Sequence, residues 1–123
     1  FLVFSHQLTE TQREEAFRVL GVDSIQCLPE HLQVVWSQVP PELPSVQGHI
    51  QPIIDWLKVQ VQTGDYLLIQ GDYGATYHMV KWALANQCIP IYATTARKTL
   101  TAMENGKVVT SRVFDHVRFR FYE

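Results

Sequence analysis

The sequence predicts an α/β fold: an open, mainly parallel sheet flanked by helices, with an antiparallel C-terminal addition. Three observations predict it. Four short apolar runs, at residues 1–4, 25–28, 66–69 and 89–93, alternate with helical patterns. Such continuous runs read as strands buried on both faces, as in parallel sheets. The tail then changes character, turning at Asn105-Gly106 and alternating strictly afterwards.

The elements follow in order. Phe1-Leu2-Val3-Phe4 is the first strand and opens onto Ser5-His6. Two overlapping capping boxes, Thr9 with Gln12 and Thr11 with Glu14, start a helix. Ala16, Phe17 and Leu20 give its apolar stripe, and Gly21 ends it. Ile25, Cys27 and Leu28 form a shorter second strand, closed by Pro29, and residues 30–36 form a short helix. Residues 39–44, with three prolines, are a stiff connector. Ile50, Ile53, Ile54, Leu57 and Val61 are spaced helically, and Pro52 fits only in the first turn or as a kink. Residues 66–69 are the third strand and lead into a helix ending near Asn86 with Met79, Val80, Ala83 and Leu84 inward. Residues 89–93 are the fourth strand, opening onto a loop of Thr94, Thr95, Ala96 and Arg97. Residues 100–104 and 107–110 flank Asn105-Gly106, which favours a type I′ hairpin turn. In residues 116–121, Val117, Phe119 and Phe121 share one face.

The 123 residues suit one domain over residues 1–123 with its own core, since a chain of this size buries roughly two-thirds of its unfolded surface. Ten Lys+Arg against twelve Asp+Glu give a net charge of −2. That balance argues against general duplex nucleic-acid binding, which needs a broad basic face, but leaves room for a local anion pocket. Cys27 and Cys88 lack C-x-x-C spacing and read as two buried thiols in a reducing compartment. No run is long enough to span a bilayer, and no charged-then-apolar leader opens the chain, so a soluble, cytoplasmic protein without membrane partners is expected. The opening Phe1, where Met is usual, suggests a missing residue or tag. The five histidines show no metal spacing, so neither metal nor cofactor is expected.

Ligands of open parallel sheets bind outside the carboxyl ends of the strands. That rule selects Ser5-His6, residues 70–76 and residues 94–97, all rich in polar donors. Gly71 and Gly74 let backbone approach a ligand, and the free N–H groups of a helix start favour an anion. The segment is neither G-x-G-x-x-G nor a Walker loop, which disfavours a dinucleotide or a magnesium-bound nucleoside triphosphate. The plainer alternative has Asp72 only capping the helix and Gly71 only permitting the turn. Thr94, Thr95 and Arg97 suit phosphate, against the alternative of a polar loop with an exposed arginine. Ser5 and His6 point apart as sequence neighbours, so they are no nucleophile–base pair. Arg118 and Arg120 read as solvated, with a dimer interface as the alternative, and Trp36, Trp56 and Trp82 read as core.

Five segments together resemble a known group: F-S-H-x-L-T from Phe4, L-P-E-x-L-Q-x-x-W-S-x-x-P-P from Leu28, I-Q-G-D-[FY]-G-A-T-Y from Ile69, P-I-Y-A-T-T-x-R from Pro90 and H-V-R-F from His116. The chain resembles, over almost its whole length, the small CRISPR-associated ring nucleases of the Csx type (the Csx-twenty group).

The resemblance implies a Rossmann-like fold related to the CRISPR-associated ligand-sensing (CARF) domains, usually as a homodimer. It implies binding of cyclic oligoadenylate, typically cyclic tetra-adenylate, and its cutting to linear products, which switches off type III CRISPR signalling. Four like units suit a pocket built twice about a two-fold axis. Cleavage needs no metal if a ribose 2′-hydroxyl is held in line with the neighbouring phosphorus. On this reading residues 71–76 (Gly71, Asp72, Tyr73, Gly74, Ala75, Thr76) cradle phosphate or ribose. Gln70 and Asp72 hold adenine edges or hydroxyls, and Tyr73 stacks on a base. Thr94, Thr95 and Arg97 bind phosphate, Arg97 also stabilising developing charge, while His6 acts as general acid or base and Ser5 positions. The alternative is a sensor or sponge that binds the ring without cutting it.

Overall fold

A computed structural model describes residues 1–123. The order is β1 (Leu2–Phe4), α1 (Glu10–Arg18), α2 (Glu30–Ser37), α3 (Gln47–Gln60), β2 (Tyr66–Gln70), α4 (Tyr73–Ala85), β3 (Ile89–Glu104) and β4 (Lys107–Phe121). The sheet runs β1-β2-β3-β4 in space. β1 and β2 pair parallel, as do β2 and β3, whereas β3 and β4 pair antiparallel. The fold is therefore α/β with a mixed four-stranded sheet flanked by helices.

Local chemistry accounts for most boundaries. The first of the two overlapping capping boxes forms: Gln12 N–H donates to Thr9 Oγ1 and Thr9 N–H to Gln12 Oε1. Thr11 lies inside α1, and Glu14 instead pairs with Arg18 one turn on. Gly21, at φ 71°, supplies the left-handed turn just past α1. Helix α3 starts at Gln47, so Pro52 sits in its second turn rather than its first. Asn105 and Gly106 both have positive φ, at 53° and 77°, as a type I′ turn requires.

The period-two pattern divides the core between two sheet faces. Val3, Leu67 and Ile69 point toward α2, α3 and α4, where they pack with Trp36, Ile53, Leu57 and Met79 in a cluster of 14 buried residues. Leu2, Leu68, Ile91 and Phe119 point the other way, toward Ala16 of α1, in a cluster of only five. The sheet is thus covered deeply on one side and thinly on the other. Trp36 is buried, while Trp56 and Trp82 are half-buried at the margin.

Four expectations are corrected. Residues 25–28 keep a single parallel bridge, Leu2 to Cys27, because Pro29 caps α2 immediately afterwards and turns the chain away. Cys27 is exposed, so only Cys88 is a buried thiol, and burial pushes that thiol's pKa up. Residues 94–97 are not a loop: β3 continues through them and pairs with β4 as far as Glu104↔Lys107. Beyond Pro90, at the start of β3, no Gly or Pro interrupts either strand, and the threonines and valines favour extended backbone, so hairpin and last strand merge into one ribbon. Finally, the register jumps from Thr94↔Arg118 to Thr95↔His116, leaving Val117 unpaired as a β-bulge.

The bulge exchanges the inward residues. Val117 is 57% exposed, whereas the His116 side chain is 3% exposed and its Nε2 lies 2.5 Å from Glu15 Oε1. The other Glu15 oxygen accepts the Phe119 N–H at 2.8 Å. One carboxylate of α1 therefore ties down the ribbon on both sides of its bulge. No helix is long and apolar enough to cross a membrane.

Candidate functional site

The carboxyl edge of the parallel strands gathers two of the three expected clusters. Phe4 of β1 pairs with Gln70 of β2, so Ser5-His6 and Gly71-Asp72 leave the sheet side by side. Ser5 and His6 are exposed, and the imidazole lies edge-on to Phe4 with ring centres 5.3 Å apart. Gln70 turns inward: its Oε1 accepts the Ala93 N–H at 2.8 Å, bracing β2 against β3. Its backbone carbonyl accepts the Trp36 indole N–H at 2.9 Å. A Cβ at Gly71 would stand 2.7 Å from that indole nitrogen, so glycine is required here by the core and not only by a ligand.

Asp72 caps α4, its Oδ2 accepting the Ala75 N–H at 3.0 Å while its carbonyl accepts the Thr76 N–H. These bonds leave the N–H groups of Tyr73 and Gly74 without protein partners at the positive end of the helix. The Ala75 side chain is buried in the core, and the Thr76 hydroxyl is buried with no partner. Tyr73 is 94% exposed beside the free N–H groups, and Tyr77 stands one turn further along with Lys81 over its ring. The arrangement offers donors for an anion with an aromatic platform next to them.

The third cluster divides. Thr94 still borders the edge, since its neighbour Ala93 is the residue braced by Gln70, but its hydroxyl bonds the backbone of Arg118. Thr95 pairs with His116 on the α1 face. Arg97 lies about 10 Å beyond Thr94 along the strand and on its opposite face. There its guanidinium packs over Phe114, with the central carbon 5.4 Å from the ring centre. The structure does not bring Arg97 to Ser5, His6 or α4.

Two arginines take that place. Arg118 and Arg120 pair with Thr94 and Tyr92, and share a sheet face with Tyr122, which packs on the α2–α4 side. Both are exposed, on the same face as the start of α4. Arg120 donates to the Tyr92 hydroxyl at 3.0 Å and stacks over its ring, with Tyr122 a further 4.8 Å from Tyr92. Burial pushes the Tyr122 phenol's pKa up, and its hydroxyl donates to the Ile69 carbonyl at 2.6 Å. The strict alternation of residues 116–121 was the available signal for this pair, but the register that carries it to the edge is not legible in sequence.

A cavity of about 440 Å³ opens at the other end of the strands, between the sheet and α1. Leu2, Leu68, Ile91 and Phe119 form its floor, Asp23 and Asp65 stand on its rim, and no Lys or Arg lines it. Two carboxylates on the rim and no Lys or Arg make this cavity a poor match for an anion. No three His, Cys, Asp or Glu side chains come together as a metal site would need.

Comparison with known proteins gives a family without a described activity. Residues 1–120 match the Uncharacterized protein MJ1673 family. The chain is 44% identical over 122 residues to Uncharacterized protein MJ1673 of Methanocaldococcus jannaschii, covering 99% of this chain and 95% of that protein. No solved structure matches. The chain belongs to the MJ1673 family.

Proposed function

We propose that this protein is a cytoplasmic ring nuclease that binds cyclic oligoadenylate, foremost cyclic tetra-adenylate, and cleaves it, ending a type III CRISPR response. The fold would then be a Rossmann-like relative of the CARF domains. One observation carries the reading: the free N–H groups of Tyr73 and Gly74, an exposed tyrosine and two arginines border one edge of the sheet. Phosphate needs the N–H groups and guanidiniums, and adenine needs the aromatic face. The order of motifs along the chain, from F-S-H-x-L-T to H-V-R-F, supports the same reading.

In this reaction the 2′-hydroxyl attacks the adjacent phosphorus and the bond to the 5′-oxygen breaks. The products are a 2′,3′-cyclic phosphate and a 5′-hydroxyl, with no metal in the balance. Arg118 and Arg120 neutralise charge developing on phosphate oxygens, taking the role first assigned to Arg97. His6 hands a proton to the leaving 5′-oxygen, Ser5 positions the ribose, and Tyr73 stacks on adenine. A second reading, a sensor or sponge that binds without cutting, is favoured by one observation: Ser5-His6 and Arg97 are held apart.

Hydrogen exchange with and without cyclic tetra-adenylate tests the placement. The expected result is slowed exchange at Tyr73 and Gly74, whose amides are free in the unliganded protein, and at the neighbouring strand ends. Protection confined to the α1-side cavity, or none, would reject the carboxyl edge as the ring site.

A further inference from the structure

We propose that the cavity on the α1 face of the sheet is a binding site for a small organic ammonium ion with an apolar body. The inference stands independently of the ring reading, whose ligand lies at the opposite ends of the strands. The cavity exists because this face is short of helix. α1, nine residues long, is the only helix there, and the buried cluster holds five residues against 14 on the other face. Protein interiors are ordinarily filled to crystal-like density, so about 440 Å³ over a buried apolar floor is too large for a packing defect. It falls within the roughly 300–1,000 Å³ of small-molecule sites.

The mouth of the cavity is pre-formed. Past α1 the chain turns at Gly21, and the Val22 N–H donates to the Ala16 carbonyl at 3.2 Å. The far end of that loop is tied to β1, where the Leu2 N–H donates to the Gln26 carbonyl at 2.9 Å. A second loop turns at Gly64, φ 90°, whose N–H donates to the Gln87 carbonyl at 2.8 Å. The Asp65 carbonyl accepts the Ile89 N–H at 2.8 Å. Backbone bonds thus hold both loops, and a ligand needs no rearrangement to enter.

The lining selects the charge of the ligand. Leu2, Leu68 and Ile91 give hydrocarbon, Tyr66 and Phe119 add aromatic rings, and Asp23 and Asp65 are the only charged side chains. Neither carboxylate is in an ion pair, since the Phe1 amino group bonds the Tyr66 carbonyl instead. Asp65 Oδ2 accepts the Gln62 N–H at 2.8 Å, which fixes the carboxylate and leaves its other oxygen for a ligand. Unpaired carboxylates beside an apolar wall concentrate negative potential at the mouth, and aromatic rings also attract cations. An ammonium at the rim with its hydrocarbon on the floor satisfies both features. A metal cation would leave the floor uncovered, and a neutral hydrocarbon would leave the carboxylates without a counter-ion.

Titration of the full chain with hexylammonium, hexanol and hexanoate, followed by amide chemical shifts, tests this. The three probes share one hydrocarbon chain and differ in charge. Hexylammonium is expected to bind with a dissociation constant on the order of a millimolar, from burial of its six carbons. Its shifts should centre on residues 21–26 and 62–66. Hexanol should bind at least about tenfold more weakly, a factor one modest charge interaction supplies, and hexanoate more weakly still. Asp23→Asn combined with Asp65→Asn should lower hexylammonium to the level of hexanol. Thermal unfolding should stay at the wild-type temperature, because an amide oxygen at position 65 can still accept the Gln62 N–H. The probe series in the wild-type chain gives its answer without any variant. Hexanol or hexanoate binding as tightly as hexylammonium would overturn the proposal. So would shifts centred elsewhere, no binding at ten times the expected constant, or hexylammonium binding indifferent to the double variant.

Discussion

Trp36→Ala is expected to cost about 3–5 kcal/mol of folding stability, the range for emptying a buried aromatic site. Trp36 is 2% exposed, and its indole wedges between the core of α2–α4 and the start of the Gly71 turn. Removing it also leaves the Gln70 carbonyl without its indole donor. A domain of this size has only about 5–15 kcal/mol in total, so the variant should unfold at markedly lower urea concentration. Trp36→Phe separates the two contributions: it keeps most of the volume and loses the hydrogen bond, and should fall between wild type and Trp36→Ala. Because Trp36 fixes the backbone at residues 70–71, the same change should loosen the candidate site. A Trp36→Ala protein with wild-type urea stability would mean that the indole is not part of the core.

Arg118→Ala combined with Arg120→Ala is expected to weaken cyclic tetra-adenylate binding by about a hundredfold or more. A hydrogen bond to a charged group contributes about 1.5–3 kcal/mol, and about 1.4 kcal/mol is a factor of ten. Both side chains are exposed, and their recorded protein bonds are few: Arg118 to the Phe119 carbonyl, Arg120 to the Tyr92 hydroxyl. Thermal unfolding should therefore remain close to wild type, which separates a ligand role from a structural one. Arg97→Ala is the control, because that guanidinium sits on Phe114 on the opposite face of the ribbon. Titration of labelled ring against the three variants reads the outcome. Weakening by Arg97→Ala but not by the double variant would return the phosphate site to residues 94–97.

Short-range chemistry was legible and long-range register was not. The Thr9–Gln12 box, the left-handed Gly21, the Asn105-Gly106 turn and the Asp72 cap each depend on residues within a few positions, and each appears in the structure. The strands at residues 1–4, 66–69 and 89–93 could be read for the same reason. Whether Thr94-Thr95-Ala96-Arg97 leaves the sheet or extends it depends on what β4 offers across the ladder, which local pattern does not encode. The Val117 bulge likewise depends on Glu15, about a hundred residues away, capturing His116 and the Phe119 N–H (|i−j| of 101 and 104). The edge-of-sheet rule therefore found Ser5, His6 and residues 70–76, and missed Arg118 and Arg120. Those two reach the same edge only through antiparallel pairing with Tyr92 and Thr94.

The central claim is tested most directly by incubating the purified protein with cyclic tetra-adenylate in EDTA and resolving the products by chromatography. The account predicts linear oligoadenylates ending in 2′,3′-cyclic phosphate, at a rate that the Arg118→Ala with Arg120→Ala variant greatly reduces. An intact ring that nonetheless binds would establish the sensor or sponge in place of the nuclease. An intact ring with no binding would contradict the cyclic-oligoadenylate reading itself.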